Sequence, residues 1–404
     1  MSDFFQNGVI TTFHKLGPLN LKRLESELRD FSRIRPISLV LPSLYREFSS
    51  GTLPTIMQEV KKATYINQIV LCLDKASKNQ FEKVKKYFSD HKKLIVIWND
   101  GARMRDLYRL LEESNLSPGI EGKGRAVWIS LGYVLARGKC RVIAIHDCDI
   151  ENYDRSLLAR LCYPVASPHS EYEFCKGYYS RVTDRMFGRA TRLFFTPFIR
   201  ALEKMLGYLP FLVYMDSFRY ALSGEIAMRR DLALALSIPS DWGLEVATLA
   251  EVYRNMALNR ICQVDIADTY EHKHQELIPD DHERGILKMT VDIAKSIFRT
   301  LATEGVQFSE GFFKTLSNIY LKIAQETITR YENDAAINGL KFDRHGESLC
   351  VEAFAQGIKK AGEVFWQSPS ETGFIPSWHR VIAALPDFFQ LLKEAVKEDN
   401  NGRC

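Results

Sequence analysis

The chain has 404 residues, of which 46% are apolar and 26% charged, and its formal charge at pH 7 is +4. That length suffices for one large domain or two ordinary ones with ample core, and the composition is that of a soluble globular protein. So small a net charge excludes a general electrostatic attraction to nucleic acid or to a membrane surface.

Residues 1–33 read as an N-terminal extension. Its opening, MSDFFQNGVITTFHKLG, has no positive leader followed by an apolar run, so no signal peptide is expected. From Ile34 to about Ala144, short β-branched runs alternate with amphipathic stretches. ISLVL (37–41), QIVLCL (68–73) and KLIVIW (93–98) predict buried parallel strands, and RVIAIHDCD (141–149) predicts a fourth. Helical spacing separates them over 57–63, 80–87 and 126–135. Strands alternating with helices predict an open, mostly parallel α/β sheet, whose ligands bind outside the carboxyl ends of the strands.

Beyond about residue 155 the character changes. Residues 176–192 are rich in aromatics and arginines, and 194–206 have helical spacing. The most apolar region, Leu193 to Met215, is interrupted by Arg200, Glu203 and Lys204, well short of a membrane span. From His282 onward the apolar spacing is helical throughout, which predicts a helical C-terminal region over 281–404 that could form a homodimer interface. The eight cysteines are scattered without a CxxC pair, as expected of reduced thiols in a cytoplasmic protein.

The strongest local signal is HDCDI (146–150). Strand alternation puts Asp147 and Asp149 on one side, with His146 and Cys148 on the other. Two carboxylates at a strand's carboxyl end suit a hard divalent cation that bridges phosphate oxygens. An isolated DxD is more often a solvated strand end, and a zinc site at His146 and Cys148 lacks a further ligand pair. The motif GKGRA (122–126) changes the balance. It opens a helix just upstream, its glycines let backbone approach a ligand, and Lys123 can pair with a phosphate or a uracil-like group. The first strand ends in VLPSL (40–44), where nucleotide contacts are expected.

These motifs, followed by LSGE (222–225), DWGLE (241–245) and YEHKH (270–274), stand in the order seen in retaining GT-A glycosyltransferases. Over roughly residues 35–280 the chain resembles the glucosyl-3-phosphoglycerate synthases, and more distantly the mannosylglycerate synthases. The resemblance implies an α/β GT-A (nucleotide-diphospho-sugar transferase, Rossmann-like) domain over 34–280. Pro42, Ser43 and Leu44 would cradle the nucleoside, with Glu47 nearby, and Lys123 would hold the base or a phosphate. Asp149 and His272 would bind Mg2+ or Mn2+, while Asp147 reaches the ribose or sugar. Leu222 would offer its backbone carbonyl near the acceptor hydroxyl, and Glu245 would hold hexose hydroxyls or assist the acceptor. Many relatives carry acidic residues directly after the Pro-x-Leu, whereas here Tyr45 and Arg46 precede Glu47, which leaves the preferred base open.

Arg181, Arg185, Arg189 and Arg192 recur at helical spacing and predict one basic helix face, an arrangement more often solvated than functional. MFGRATR (186–192) nevertheless resembles the family's acceptor loop. That likeness implies Gly188, Arg189 and Thr191 as ligands of the phosphate on a three-carbon acid acceptor. The expected reaction is transfer of glucose from a nucleotide-glucose such as UDP-glucose to the 2-hydroxyl of 3-phosphoglycerate. Mannosyl transfer from GDP-mannose is the nearest alternative. A sugar-phosphate nucleotidyltransferase is disfavoured, because PSLYRE replaces the glycine-rich loop such enzymes carry after the first strand. A non-catalytic sugar-nucleotide binder is disfavoured by the presence of both DxD carboxylates, His272 and Glu245.

Overall fold

The structure, a computed structural model, describes residues 6, 8–268, 270, 285–369 and 373–401. Its centre is an eight-stranded sheet made of β1 (Thr11–Phe13), β2 (Ile37–Leu44), β3 (Ile66–Asp74), β4 (Leu94–Trp98), β5 (Val142–Ile145), β6 (Phe174–Tyr179), β7 (Ile226–Arg229) and, later in the chain, β9 (Ile261–Ala267). The short β8 (Ile238–Pro239) pairs instead with β10 (Phe374–Ile375), antiparallel. The spatial order of the large sheet is β1-β9-β6-β7-β5-β2-β3-β4. Every neighbouring pair is parallel except those made by β7, which runs against both β5 and β6. The expected mostly parallel α/β sheet is therefore present.

Alternation along the strands divides the core into two layers. Val40, Val70, Cys72, Ile143 and Ile145 face one cluster, while Leu39, Leu41, Leu71, Leu73, Val142 and Ala144 face the other. Pro42, which has no N–H to give, lies where β2 pairs with β3 but has already left β5, whose ladder ends at Val40 and Ile145. Residues 1–33 contribute to this fold: Thr11–Phe13 extends the sheet beside β9, and the helix Leu21–Ile34 packs on the helix Arg155–Ala166.

The C-terminal region is helical as expected, apart from β10. It comprises the helices Gly285–Thr303, Glu310–Ile337, Arg344–Gln367, Trp378–Ala384 and Phe388–Asn401. It is fastened to the sheet layer by a reciprocal tryptophan pair. Trp128 and Trp378 stack with centroids 4.1 Å apart; Trp128 Nε1 donates to the Pro376 carbonyl, and Trp378 Nε1 to that of Trp128. Gly132 makes this possible, since a Cβ there would lie 2.1 Å from the Trp378 ring. Among the described residues no helix is long and apolar enough to cross a membrane.

Two sequence expectations are corrected here. The fourth strand was expected to run to Asp149, but pairing stops at Ile145, so the DxD lies in the turn that leaves the sheet. Burial still alternates, with His146, Cys148 and Ile150 inside and Asp147 and Asp149 half-buried, because the apolar side chains keep the segment oriented after the ladder ends. The four arginines do not share a helix face. Val182 bridges Met186, Gly188 adopts a positive φ of 74°, and helical structure begins only at Arg189, with a π-turn over Ala190–Phe195.

Candidate active site

The carboxyl ends of β2, β3, β5, β6 and β9 lie along one edge of the sheet, and β7, being reversed, starts there. The register explains the closest approach at that edge. Ile145 stands opposite Ile226, and two steps further Asp147 meets Gly224, where a Cβ would sit 2.3 Å from its carboxylate. Only glycine leaves room for the aspartate at this position.

Lys123 is the first residue of the helix Lys123–Arg137. Its Nζ lies 2.6 Å from Asp147 Oδ1 and 2.9 Å from Glu245 Oε1. Burial opposes a charge on this lysine, but the two carboxylates outweigh it and hold the pKa well above the ordinary lysine value. Glu245 stands in the first turn of the helix Leu244–Asn255, where the helix dipole favours a carboxylate. Asp241 accepts from the Gly243 N–H at 2.8 Å and so shapes the turn that delivers Glu245. The glycines of GKG are needed for packing. A Cβ on Gly124 would lie 2.0 Å from the Pro239 carbonyl, and one on Gly122 2.6 Å from that of Ser240. Their absence seats the helix start against β8, which fixes Lys123 beneath the DxD.

Asp149 is the second carboxylate of the centre. Burial, then the nearby charges of Asp147 and Glu47, push its pKa up to about 6, with Lys123 acting in the opposite direction. Glu47 is 3% exposed and paired with Arg46 at 2.7 Å; it reaches this group because the helix Tyr45–Ser49 turns back immediately after β2. Ser43 is buried and Leu44 half-buried at the end of β2. Asp147, Asp149 and Glu47 bring negative charge together at the strand ends, and carboxylate oxygens are the ligand type that Mg2+ and Mn2+ favour. Among the described residues no group of three His, Cys, Asp or Glu side chains is close enough to hold an ion. His272, expected as a metal ligand, lies outside the described residues.

Two buried charged residues were not anticipated as part of the site. Lys176 on β6 is 1% exposed; its Nζ donates to the Ser223 carbonyl at 2.5 Å, and burial pushes its pKa down to about 8. Glu225 is fully buried and accepts from Tyr270 Oη at 2.5 Å; burial and Asp147 raise its pKa to about 7. Lys123, Lys176, Gly224 and Glu245 line one small cavity. Leu222, half-buried, lies in the turn just before Ser223 and β7.

Gly188, Arg189 and Thr191 belong to a separate loop, tied to this turn by Arg181, whose Nη1 donates to Tyr220 Oη at 3.4 Å. Tyr220 in turn meets Tyr179 edge-on at 4.9 Å, and Tyr179 stacks on Tyr270 at 3.6 Å. Arg189 Nε donates to Glu347 of the C-terminal region at 2.8 Å.

A glucosyl-3-phosphoglycerate synthase of Persephonella marina is 51% identical over 402 residues, covering 99% of this chain and 100% of that protein. The chain belongs to the glucosyl-3-phosphoglycerate synthase family. A second synthase of this family, from Methanococcoides burtonii, is 37% identical and covers 100% of the chain and 99% of its own length. No family model matches the chain. Among solved structures, the glucosyl-3-phosphoglycerate synthase of Mycobacterium tuberculosis with Mg2+ and uridine diphosphate superposes with a TM-score of 0.51 at 21% identity, covering 75% of this chain and 89% of that one. The same protein with Mn2+, uridine diphosphate and glucosyl-3-phosphoglycerate gives 0.52 at 20% identity, covering 74% and 90%. That likeness establishes the GT-A fold of this family member.

Proposed function

We propose that the chain transfers glucose from a nucleotide-glucose such as UDP-glucose to the 2-hydroxyl of 3-phosphoglycerate, with retention at the anomeric carbon. The observation that carries the reading is the junction at Lys123, which joins the GKG, DxD and DWGLE motifs in one charged cluster at the strand ends. Synthases that cover nearly the whole chain carry the same activity in their names. Membership of this family leaves the nucleotidyltransferase reading without support.

In this account Pro42, Ser43, Leu44 and Glu47 receive the nucleoside, and Lys123 faces the diphosphate. Asp147 orients the ribose or sugar, and Glu245, held by Lys123, binds hexose hydroxyls. A Mg2+ or Mn2+ ion held by Asp149 and His272 would supply positive charge for the departing nucleoside diphosphate, the main electrostatic demand of the reaction. Gly188, Arg189 and Thr191 take the acceptor's phosphate, which leaves its 2-hydroxyl directed at the turn of Leu222. Attack from the face of the leaving group lets leaving-group oxygens take the acceptor's proton. The catalytic unit is 34–280, with 281–404 completing the acceptor side and offering a homodimer surface. The described cysteines, all free and buried, support a cytoplasmic setting.

The test is a screen of UDP-glucose and GDP-mannose against 3-phosphoglycerate and glycerate with added Mg2+ or Mn2+, repeated with Asp149→Ala. UDP-glucose with 3-phosphoglycerate should be the productive pair. Asp149→Ala should fold normally yet lose on the order of 3 kcal/mol or more of transition-state stabilisation. Near-native turnover by that variant at saturating metal would overturn the assignment of the centre.

A further inference from the structure

The loop that carries Gly188, Arg189 and Thr191 is closed on itself, with the Phe187 N–H donating to the Arg181 carbonyl at 2.8 Å, and it is braced a second time by the C-terminal helices, more than a hundred and fifty residues further along the chain. Glu347, in the first turn of the helix Arg344–Gln367, has a carboxylate only 4% exposed, and it faces two arginines of the loop. Oε1 accepts from Arg189 Nε at 2.8 Å, and Oε2 is ion-paired with Arg192. Arg192 is 8% exposed and is fixed independently. Its Nε donates to the Phe187 carbonyl at 3.1 Å, and its guanidinium lies 5.2 Å from the Tyr331 ring centroid. The same stretch of the C-terminal region also grips the other end of the loop. Lys341 donates to Asp184 through its backbone N–H and through its Nζ, each at 2.8 Å.

The two arginines differ in what is left over. Arg192 is enclosed, whereas the Arg189 side chain is 35% exposed and is held through its Nε edge. A guanidinium has five N–H donors in a rigid plane, so a carboxylate on the Nε edge fixes that plane and leaves terminal N–H groups for a second anion. A side chain 35% exposed would otherwise carry its guanidinium on a freely rotating stem, and ordering it on binding would cost affinity.

We propose that Glu347 is a positioning residue for the acceptor site: through Arg189 it sets the guanidinium that receives the phosphate of the three-carbon acid, so that the helical C-terminal region forms part of that site. The proposal rests on the reading above that Arg189 binds the acceptor phosphate. Glu347 is enclosed and turned to the two arginines, so its effect should appear in acceptor binding and not in donor binding.

The experiment measures acceptor kinetics at saturating UDP-glucose, with donor affinity by calorimetry, for Arg189→Ala, Glu347→Ala, Glu347→Gln and the Arg189→Ala/Glu347→Ala pair. Loss of an oriented charge-assisted contact should raise the KM for 3-phosphoglycerate roughly ten-fold in Glu347→Ala, with kcat changed much less and donor affinity unmoved. Glu347→Gln keeps an acceptor for Arg189 Nε and should recover part of the loss; if the alanine variant does not fold, the glutamine variant decides. The double variant should be little worse than Arg189→Ala alone, because the two residues act in series. If Arg189→Ala raises KM while both Glu347 variants keep the native value, the positioning role falls and the phosphate site stands. If Arg189→Ala itself leaves KM unchanged, the phosphate site falls and takes this inference with it.

Discussion

Lys123 Nζ stands 2.6 Å from Asp147 Oδ1, and the same ammonium reaches Glu245, so one lysine holds together the first DxD carboxylate and the glutamate of the later motif. Lys123→Met keeps the stem and removes the charge. UDP affinity should then fall about ten- to a hundred-fold, the usual worth of a charge-assisted contact to phosphate. Melting temperature should fall as well, because Asp147 and Glu245 lose the ammonium they share. Calorimetry with UDP reads the first effect, and unchanged affinity would remove Lys123 from the donor site.

Gly224 tests how closely the DxD is packed. A methyl group at this position collides with the Asp147 carboxylate, which must then swing away from Lys123. Gly224→Ala should therefore lose at least ten-fold in kcat/KM, since misplacement of a binding group by about 1 Å suffices for such losses. Its melting temperature should change by a few degrees at most, as the half-buried aspartate has room on its open side. Native kcat/KM in this variant would mean that Asp147 does not need its present position.

His146 gives the fold a specific acid sensitivity. The ring is fully buried, neither nitrogen has a hydrogen-bond partner among the described residues, and burial pushes its pKa down to about 4. Between that value and the ordinary one near 6.5, the unfolded chain binds a proton that the folded chain does not. Stability is thus lost as pH falls from about 6.5 towards about 4. From pH 7 to pH 5 the native protein should lose about 2 kcal/mol more than His146→Phe, in which the carboxylates titrate alike but this ring is gone. Urea unfolding at the two pH values reads the difference; parallel losses would show that the ring charges in place.

The clustering of the candidate donor residues was legible in the sequence for a physical reason. Apolar runs mark the strands, ligands of such sheets gather at the strand ends, and Asp147, Asp149 and Lys123 stand at those ends. The early end of β5 did not disturb the reading, because His146, Cys148 and Ile150 stay buried and keep both aspartates turned outward. The glycines of GKG, read from the sequence as letting backbone approach a ligand, lie against the backbone of Pro239 and Ser240, contacts that no local pattern reveals.

The acceptor side was less legible. Spacings of four and three residues among arginines fit a helix, yet here they span a bridge at Val182 and Met186 and a glycine at positive φ. Glu347 is 158 residues from Arg189, and nothing in its own helix distinguishes it from a solvated glutamate. Lys176 and Glu225 were missed because no strand was expected at 174–179 or 226–229, whereas β6 and β7 lie inside an eight-stranded sheet covered on both sides.

Transfer to a phosphorylated acid is read straight from the acceptor preference of the unaltered protein. With saturating UDP-glucose and Mg2+ or Mn2+, initial rates are measured against 3-phosphoglycerate and against glycerate. An arginine, a hydroxyl and a backbone N–H around one phosphate should make kcat/KM for 3-phosphoglycerate greater by a factor on the order of a hundred or more. Equal use of the two acids would contradict the account and move the chain's activity towards glycerate itself.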